Sequence, residues 1–392
     1  MTGSARRTLL VLGICAAWAL TSVAPLWKYL SHLEAIASII LGLIAIPLGM
    51  YGLNRLNRSQ YQISIVWFFL LFAALAAAFT ILYPLSQKHT HNIGSDREDA
   101  LRIELNAIHH HQDPYATRTF LGNPPTPLPG AMLLAAPFFA IGHIAWQNFL
   151  WLALFFLFVL RFFRYRATAL FYLALFLLFA PSHLSDFTAG GDYLTNFFYI
   201  AIAVALFNRS LNHSFYAGIP AAVFLGVTLS SRIIYAIILI PLCALTLQRT
   251  SRPRTAALFF IVLLTAAIVT LPVFAPQPLP HLLQQLQQNS LKLRFIPNAV
   301  HPQTTLPLLA ALVSCTAFFI RMNRARLFLL FSVATLVMLT PFVLTFALHA
   351  AQLRYAFFYL SVSTLSFSLW ALSLYEDSYH ADRIAPNRDP EP

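Results

Sequence analysis

Residues 92–130 read NIGSDREDALRIELNAIHHHQDPYATRTFLGNPPTPLPG and carry five of the thirteen acids of the 392-residue chain. A stretch so charged does not enter hydrocarbon, because a central Asp, Lys or Arg costs roughly 2.5–3.5 kcal/mol on insertion. On both sides of it the chain is apolar: 59% of all residues are hydrophobic, only 10% are charged, and mean hydropathy is +0.69. Apolar runs recur from end to end, each about long enough for a hydrocarbon core of roughly 30 Å. The expected fold is therefore all-α and polytopic, with the 84–128 region as its main extramembrane loop.

Working outward, spans are expected at 8–26, 35–53, 62–83, 147–160, 167–181, 194–207, 214–230, 233–248, 255–275, 304–320, 327–347 and 355–375, about twelve in all. The apolar stretch 129–145 reads as re-entrant or interfacial, because a full crossing there would put the next basic cluster on the wrong side. With twelve spans, one side collects 16 of the 25 Lys and Arg residues, including Arg6, Arg7, Arg161, Arg209 and Arg324. Basic residues favour the cytoplasmic face, so both termini are expected there, with the loop outside in a multi-pass cell-membrane protein. The first apolar run reads as an uncleaved span rather than a signal peptide. Residues 1–375 then form one transmembrane domain and 376–392 a short polar cytoplasmic tail.

The net charge of +12 does not imply a nucleic-acid partner, because the basic residues lie in short clusters between spans and form no basic domain. Cys15, Cys243 and Cys315 all fall within spans, so neither a disulfide framework nor thiol chemistry is implied. No Asp, Glu, Lys or Arg falls inside a span as drawn, which argues against an ion-coupled carrier.

Within the loop, Ser95 followed by Asp-Arg-Glu-Asp predicts a helix start, with a capping hydroxyl and acids near the positive dipole end. Ala100, Leu101, Ile103, Leu105, Ala107 and Ile108 supply an apolar face for a helix along the membrane surface, and Asp113-Pro114 ends it. Prolines 124, 125, 127 and 129 then impose an extended segment leading back into the bilayer. The histidines His89, His91, His109, His110 and His111 are metal-capable, but neighbours on a helix point about 100° apart and no spaced ligand motif is present, so no metal site is expected.

The order of acidic turn, surface helix, DPYATRTFLGNPPTPLPGAMLLAAPFFAIG and a basic-ended span resembles the GT-C superfamily of polyprenyl-phosphate-sugar glycosyltransferases, over about residues 96–163 with weaker echoes at Ser231-Arg232 and Arg354-Tyr355. The sequence departs from that pattern in having two extra spans before the loop, and His109-His110-His111 where a small residue is usual. The resemblance implies a GT-C-like fold whose first large external loop carries surface helices and an acidic general base, here Asp96, with Asp99 on the next helix face as the alternative. It implies a polyprenyl-phosphate sugar as donor and a glycan or lipid as acceptor, both met at the bilayer.

Attack of an acceptor hydroxyl on the anomeric carbon needs a carboxylate to take its proton and cations to hold the departing phosphate. Arg232 and Arg354, outward against the positive-inside trend, are the expected phosphate ligands, with Lys292 and Arg294 as weaker ones; each reads equally as an interfacial anchor. His109, His110, His111, Tyr115 and Asp192 are substrate-binding candidates, Asp192 being also readable as part of a Gly190-Gly191 turn and Tyr115 as an interfacial aromatic. No cofactor is required, and a divalent cation is left open. The rival readings are a flippase or other transporter for lipid-linked sugars, and a non-catalytic partner in envelope-polysaccharide assembly.

Overall fold

Apolar segments in hydrocarbon must satisfy every backbone N–H and C=O internally, which the α-helix does. In a computed structural model that describes residues 3–59, 61–88, 95–275, 278–290, 293–349 and 357–384, the regular structure is entirely helical, with no strand among the described residues. The helices are α1 (Gly3–Tyr29), α2 (His32–Arg58), α3 (Val66–Ser86), α4 (Arg97–His109), α5 (Pro129–Ala140), α6 (Gln147–Phe162), α7 (Arg166–Leu173) and α8 (Pro181–Thr188). They continue as α9 (Tyr193–Ser210), α10 (Phe215–Leu229), α11 (Leu239–Leu247), α12 (Arg252–Thr270), α13 (Pro278–Ser290), α14 (Pro302–Cys315), α15 (Arg324–His349) and α16 (Ser361–Ile384).

Helix covers most of each expected span where it is described, but only eight helices among the described residues are long and apolar enough to cross a bilayer, or nine if one bent pair is a single span. That pair replaces the expected span 167–181: α7 runs through a π turn at Ala174–Leu178, then the chain bends by 70° into α8. Pro181 causes the break, since the residue before proline is pushed out of the helical region and Pro itself suits the first helical position. The Trp18 indole N–H of α1 donates to the Phe179 carbonyl at 2.8 Å, satisfying a group that the break releases. The expected spans 214–230 and 233–248 are shorter helices, and α9, in place of 194–207, is diluted by Thr195, Asn196, Asn208 and Arg209. These three are held by protein neighbours, so apolar length alone overstates the number of independent crossings.

The core is aromatic. Phe155, Phe176, Phe197, Phe198, Phe207 and Tyr172 are fully buried, and Phe155 stacks on Phe198 with centroids 4.3 Å apart. Contacts across it define two ends. At one, Arg249 Nη1 donates to Asn208 Oδ1 at 2.9 Å, Arg254 Nη2 to the His213 carbonyl at 2.7 Å, and Arg324 Nη1 to the Arg161 carbonyl at 3.0 Å. Arg7 Nε reaches Ser378 Oγ at 3.3 Å, so α1 begins and α16 finishes at this same arginine-rich end. Helix α16 also passes the boundary expected at 375: Glu376 is buried and accepts the backbone N–H groups of Arg164 and Tyr165 at 3.1 and 3.0 Å, capping the start of α7.

At the opposite end, α4 packs on α5 through Leu101 and Leu105 against Ala131, Met132 and Ala135. Its apolar face is therefore taken up by protein, where a lone surface helix would have presented it to lipid. Residues 123–128 form neither helix nor strand, in keeping with their prolines, with Leu128 in the extended region, and dock on the turn after α10: the Leu128 and Gly130 N–H groups donate to the Ser231 and Ser230 carbonyls at 3.0 and 3.1 Å. Gln285 of α13 covers the segment from the other side, donating to the Pro125 carbonyl at 2.8 Å. Helix α5, at 12 residues or about 18 Å, is too short to cross a bilayer by itself.

Gly130 is the closest approach in this joint, since a Cβ there would lie 2.2 Å from the Val227 carbonyl oxygen and 2.8 Å from the Ser230 carbonyl carbon. Backbone cannot yield as a side chain does. Gly130→Ala is expected to lower stability by about 1–3 kcal/mol, read as an earlier thermal transition in detergent; an unchanged transition would show that the joint gives way freely.

Candidate functional site

The site grows from the start of α4. Asp96, expected inside the helix with Ser95 as its cap, instead occupies the N-cap position itself and makes no capping bond. Its Oδ2 accepts from Thr119 Oγ1 at 2.8 Å and Asn123 Nδ2 at 2.7 Å. Those two donors come from the loop between α4 and α5, and they outbid the helix's own N–H groups. Both of these bonds go to Oδ2, Oδ1 has none among the described residues, and Asp96 is half-buried, so Oδ1 is left for a further donor. Asp99 is spent differently: its Oδ2 accepts the Phe120 N–H at 2.9 Å, pinning the same loop.

Three further α4 residues fix the helix in place. Glu98, 2% exposed, accepts from the Tyr83 hydroxyl at 2.9 Å and Gln87 Nε2 at 3.0 Å, both at the end of α3, and pairs with Arg102 at 2.6 Å. Arg97 makes an ion pair with Asp186 of α8 and lies 3.8 Å over the Phe358 ring. Burial works against the Arg97 charge, but the carboxylates of Asp186 and Asp192 outweigh it and hold its pKa above the ordinary arginine value. Asp186 in turn accepts the Leu194 N–H at 2.8 Å, so α8, α9 and α4 meet on one carboxylate.

Beside this lies the second buried pair. Arg232 Nη2 donates to Asp192 at 2.8 and 2.6 Å, with side-chain exposures of 14% and 2%. Asn196 Nδ2 adds a donor to Asp192 at 3.1 Å, and Arg232 Nη1 reaches Thr126 Oγ1 at 3.3 Å on the proline segment. Arg97 and Arg232 both sit over the Tyr193 ring, at 5.4 and 5.6 Å from its centroid. The structure thus brings the two arginines, two aspartates and the Asp96 turn into one neighbourhood at the α4 end. It also gives Asp192 a clearer role than a glycine turn, since its carboxylate is the counter-ion of Arg232.

Glu104 is the least expected member. It is fully buried, within the field of the Arg232–Asp192 pair, and neither carboxyl oxygen has a hydrogen-bond partner among the described residues. Burial, reinforced by the Asp192 charge and opposed by Arg232, pushes its pKa well above the ordinary 4.5. Burial at this position therefore favours the neutral acid over the carboxylate. Because the folded pKa is the higher one, the group's contribution to stability is complete below about pH 4.5 and is lost as pH rises through the folded value. Glu104→Gln, which mimics the neutral form, should match the native protein near pH 4 and gain on it steadily with rising pH in thermal melts. A gap that stays constant across that range would mean Glu104 is not held protonated.

The remaining expected ligands do not converge. Tyr115 is occupied, its hydroxyl donating to the Pro127 carbonyl at 3.1 Å and its ring stacked on Phe274 at 5.2 Å. His109, His110 and His111 are exposed at the far end of α4, about 20 Å from Asp96 by helical rise, and His111 adopts φ 56° as the helix unwinds. The helix thus ends before Asp113-Pro114, and the histidines do not join the carboxylate cluster. Among the described residues no group of three His, Cys, Asp or Glu could hold a metal ion. Arg294 is exposed, 4.8 Å over the neighbouring Phe295 ring, and joins no acid. Lys292, Arg354, His89 and His91 lie outside the described residues.

Sequence reading passed over Arg97 and Glu104. The signal available was spacing: Glu104 follows Leu101 by three and Ala100 by four, which places an acid on the buried stripe of α4. No family model matches the chain, and no curated protein or solved structure matches it either.

Proposed function

We propose that the protein is an inverting membrane glycosyltransferase that moves a monosaccharide from a polyprenyl-phosphate donor to a glycan or lipid acceptor at the membrane surface bearing α4. The observation that carries this reading is the Asp96 carboxylate, oriented by Thr119 and Asn123 through one oxygen and left open at the other. A general base needs that arrangement: a fixed carboxylate whose remaining lone pairs can take the proton of an incoming hydroxyl. Asp99, with its contact to the Phe120 N–H, is the loop clamp in this reading.

Displacement with a single base proceeds in line, so the anomeric centre inverts. The departing phosphate carries negative charge that a guanidinium can stabilise, and Arg232, which reaches Thr126 on the proline segment, is the candidate. Its Nη2 is committed to Asp192, so phosphate would meet Nη1 beside Thr126. Positive-inside bias places the arginine-rich end in the cytoplasm and the α4 end outside. A flippase would need a polar route between the two ends, and the stacked Phe155, Phe198 and Tyr172 core lies between them.

The full chain in lipid nanodiscs, offered a panel of polyprenyl-phosphate hexoses and pentoses with lipid and glycan acceptors, is expected to transfer one sugar with inverted anomeric configuration, read by NMR of the product. Transfer with retention, or none across the panel while the protein remains folded, would sink the proposal.

A further inference from the structure

At the arginine-rich end, remote from the Asp96 cluster, a cavity of about 730 Å³ opens between α6, α9, α10, α11 and α15. Its size falls in the roughly 300–1,000 Å³ range of small-molecule sites. The walls are apolar, formed by side chains such as Leu154, Phe158, Ala205, Phe224 and Leu327. The rim is cationic: Arg161 ends α6, Arg209 ends α9 and Arg324 begins α15.

These three arginines are exposed, and none makes an ion pair with an acid among the described residues. Arg324 is steered by the Phe162 ring, 5.1 Å from its guanidinium, and by the Arg161 carbonyl at 3.0 Å. The acids whose field it feels, Glu376 and Asp377, do not pair with it, and Glu376 is engaged by backbone N–H groups. Three guanidiniums around one opening repel each other unless an anion sits among them. From Trp151 to Arg161 along α6 the cavity is about 15 Å deep, half of the roughly 30 Å hydrocarbon core, or one leaflet.

An apolar slot one leaflet deep, with an arginine rim that makes no ion pair among the described residues, matches a lipid whose headgroup is an anionic phosphate. We propose that this cavity binds one anionic phospholipid from the leaflet at the arginine-rich end, its phosphodiester held by Arg161, Arg209 and Arg324 and an acyl chain lying between α6 and α9. Asn208 and Asn212, also on the rim, supply amide donors to the headgroup. The site stands apart from the Asp96 neighbourhood and does not depend on sugar transfer.

The test is native mass spectrometry of the delipidated full chain in detergent, titrated with dioleoyl phosphatidylglycerol, dioleoylglycerol and inorganic phosphate. One phosphatidylglycerol per chain is expected to survive activation, with the chain-only and phosphate-only probes at least about tenfold weaker, equivalent to roughly 1.4 kcal/mol. Arg161→Gln/Arg209→Gln/Arg324→Gln should weaken phosphatidylglycerol by about tenfold or more, and the matching triple lysine variant should retain it. Ala205→Phe, which fills the wall and keeps every charge, should weaken it as well, so the site remains testable if the glutamine variant does not fold. Dioleoylglycerol binding as tightly as phosphatidylglycerol, or phosphatidylglycerol binding unchanged by Ala205→Phe or by the folded glutamine variant, overturns the proposal.

Discussion

Asp96→Asn is expected to reduce sugar transfer by roughly 10²–10⁴-fold, the usual worth of a positioned general base. The substitution is chosen because it changes little else. An asparagine carbonyl oxygen can still accept from Thr119 Oγ1 and Asn123 Nδ2, so the turn before α4 keeps its two anchoring bonds. What disappears is the basic oxygen. Asp99→Asn is the matched control, since the amide oxygen can still accept the Phe120 N–H and the loop should stay pinned. Transfer in that variant should remain within a few-fold of native, with thermal transitions of both proteins close to the parent. If Asp96→Asn keeps native activity, or Asp99→Asn falls as far, the assignment of the base is wrong.

The second large effect is on stability. Removing one partner of the Arg232–Asp192 pair leaves an uncompensated charge where exposure is 14% or 2%, and such truncations cost about 3–5 kcal/mol. Arg232→Met leaves Asp192 with Asn196 as its side-chain donor among the described residues; Asp192→Asn strands a guanidinium held otherwise by Thr126. The double variant should recover much of the loss, because it strands neither charge, and the coupling is read from a double-mutant cycle in thermal or denaturant unfolding. Additive losses would show that the two charges act independently.

The same cycle separates structure from chemistry. If Arg232 also grips donor phosphate, the double variant regains its fold but not its transfer rate. Recovery of both would reduce the pair to an internal strut, leaving phosphate to other cations.

Some of this was legible in the residues. The prolines at 124, 125 and 127 exclude a helix, because each removes a backbone donor and fixes φ, and no helix forms before Pro129. Arginines at span ends gather at one end of the bundle, as loop charge bias requires. Counting spans was less secure. Apolar length cannot distinguish a helix that meets lipid all round from α10 or α11, whose shortness is tolerated because neighbouring helices cover them.

The candidate site was half legible. Asp96, Asp99, Asp192 and Arg232 stand out as charges outside the apolar runs, but their tasks do not, because the partner of each lies far along the chain. Arg232 meets Asp192 across 40 residues, and Arg97 meets Asp186 across 89. Glu104 was hidden for a related reason: an acid on a helix with exposed neighbours reads as solvated until another helix is known to cover it. The histidines misled in the opposite direction, since clustering in sequence put them at the wrong end of α4.

By itself, then, the sequence determined the membrane class, the helical content, the polar stretch at 92–130 and the gathering of span-end arginines at one end, because these follow from local composition and backbone chemistry. Only the tertiary structure decided that Asp96 faces Thr119 and Asn123, that Asp192 pairs with Arg232, and that Glu104 is buried. Those outcomes depend on which helices pack together, and the choice of partner for a buried charge is set by the low-dielectric contact that packing creates.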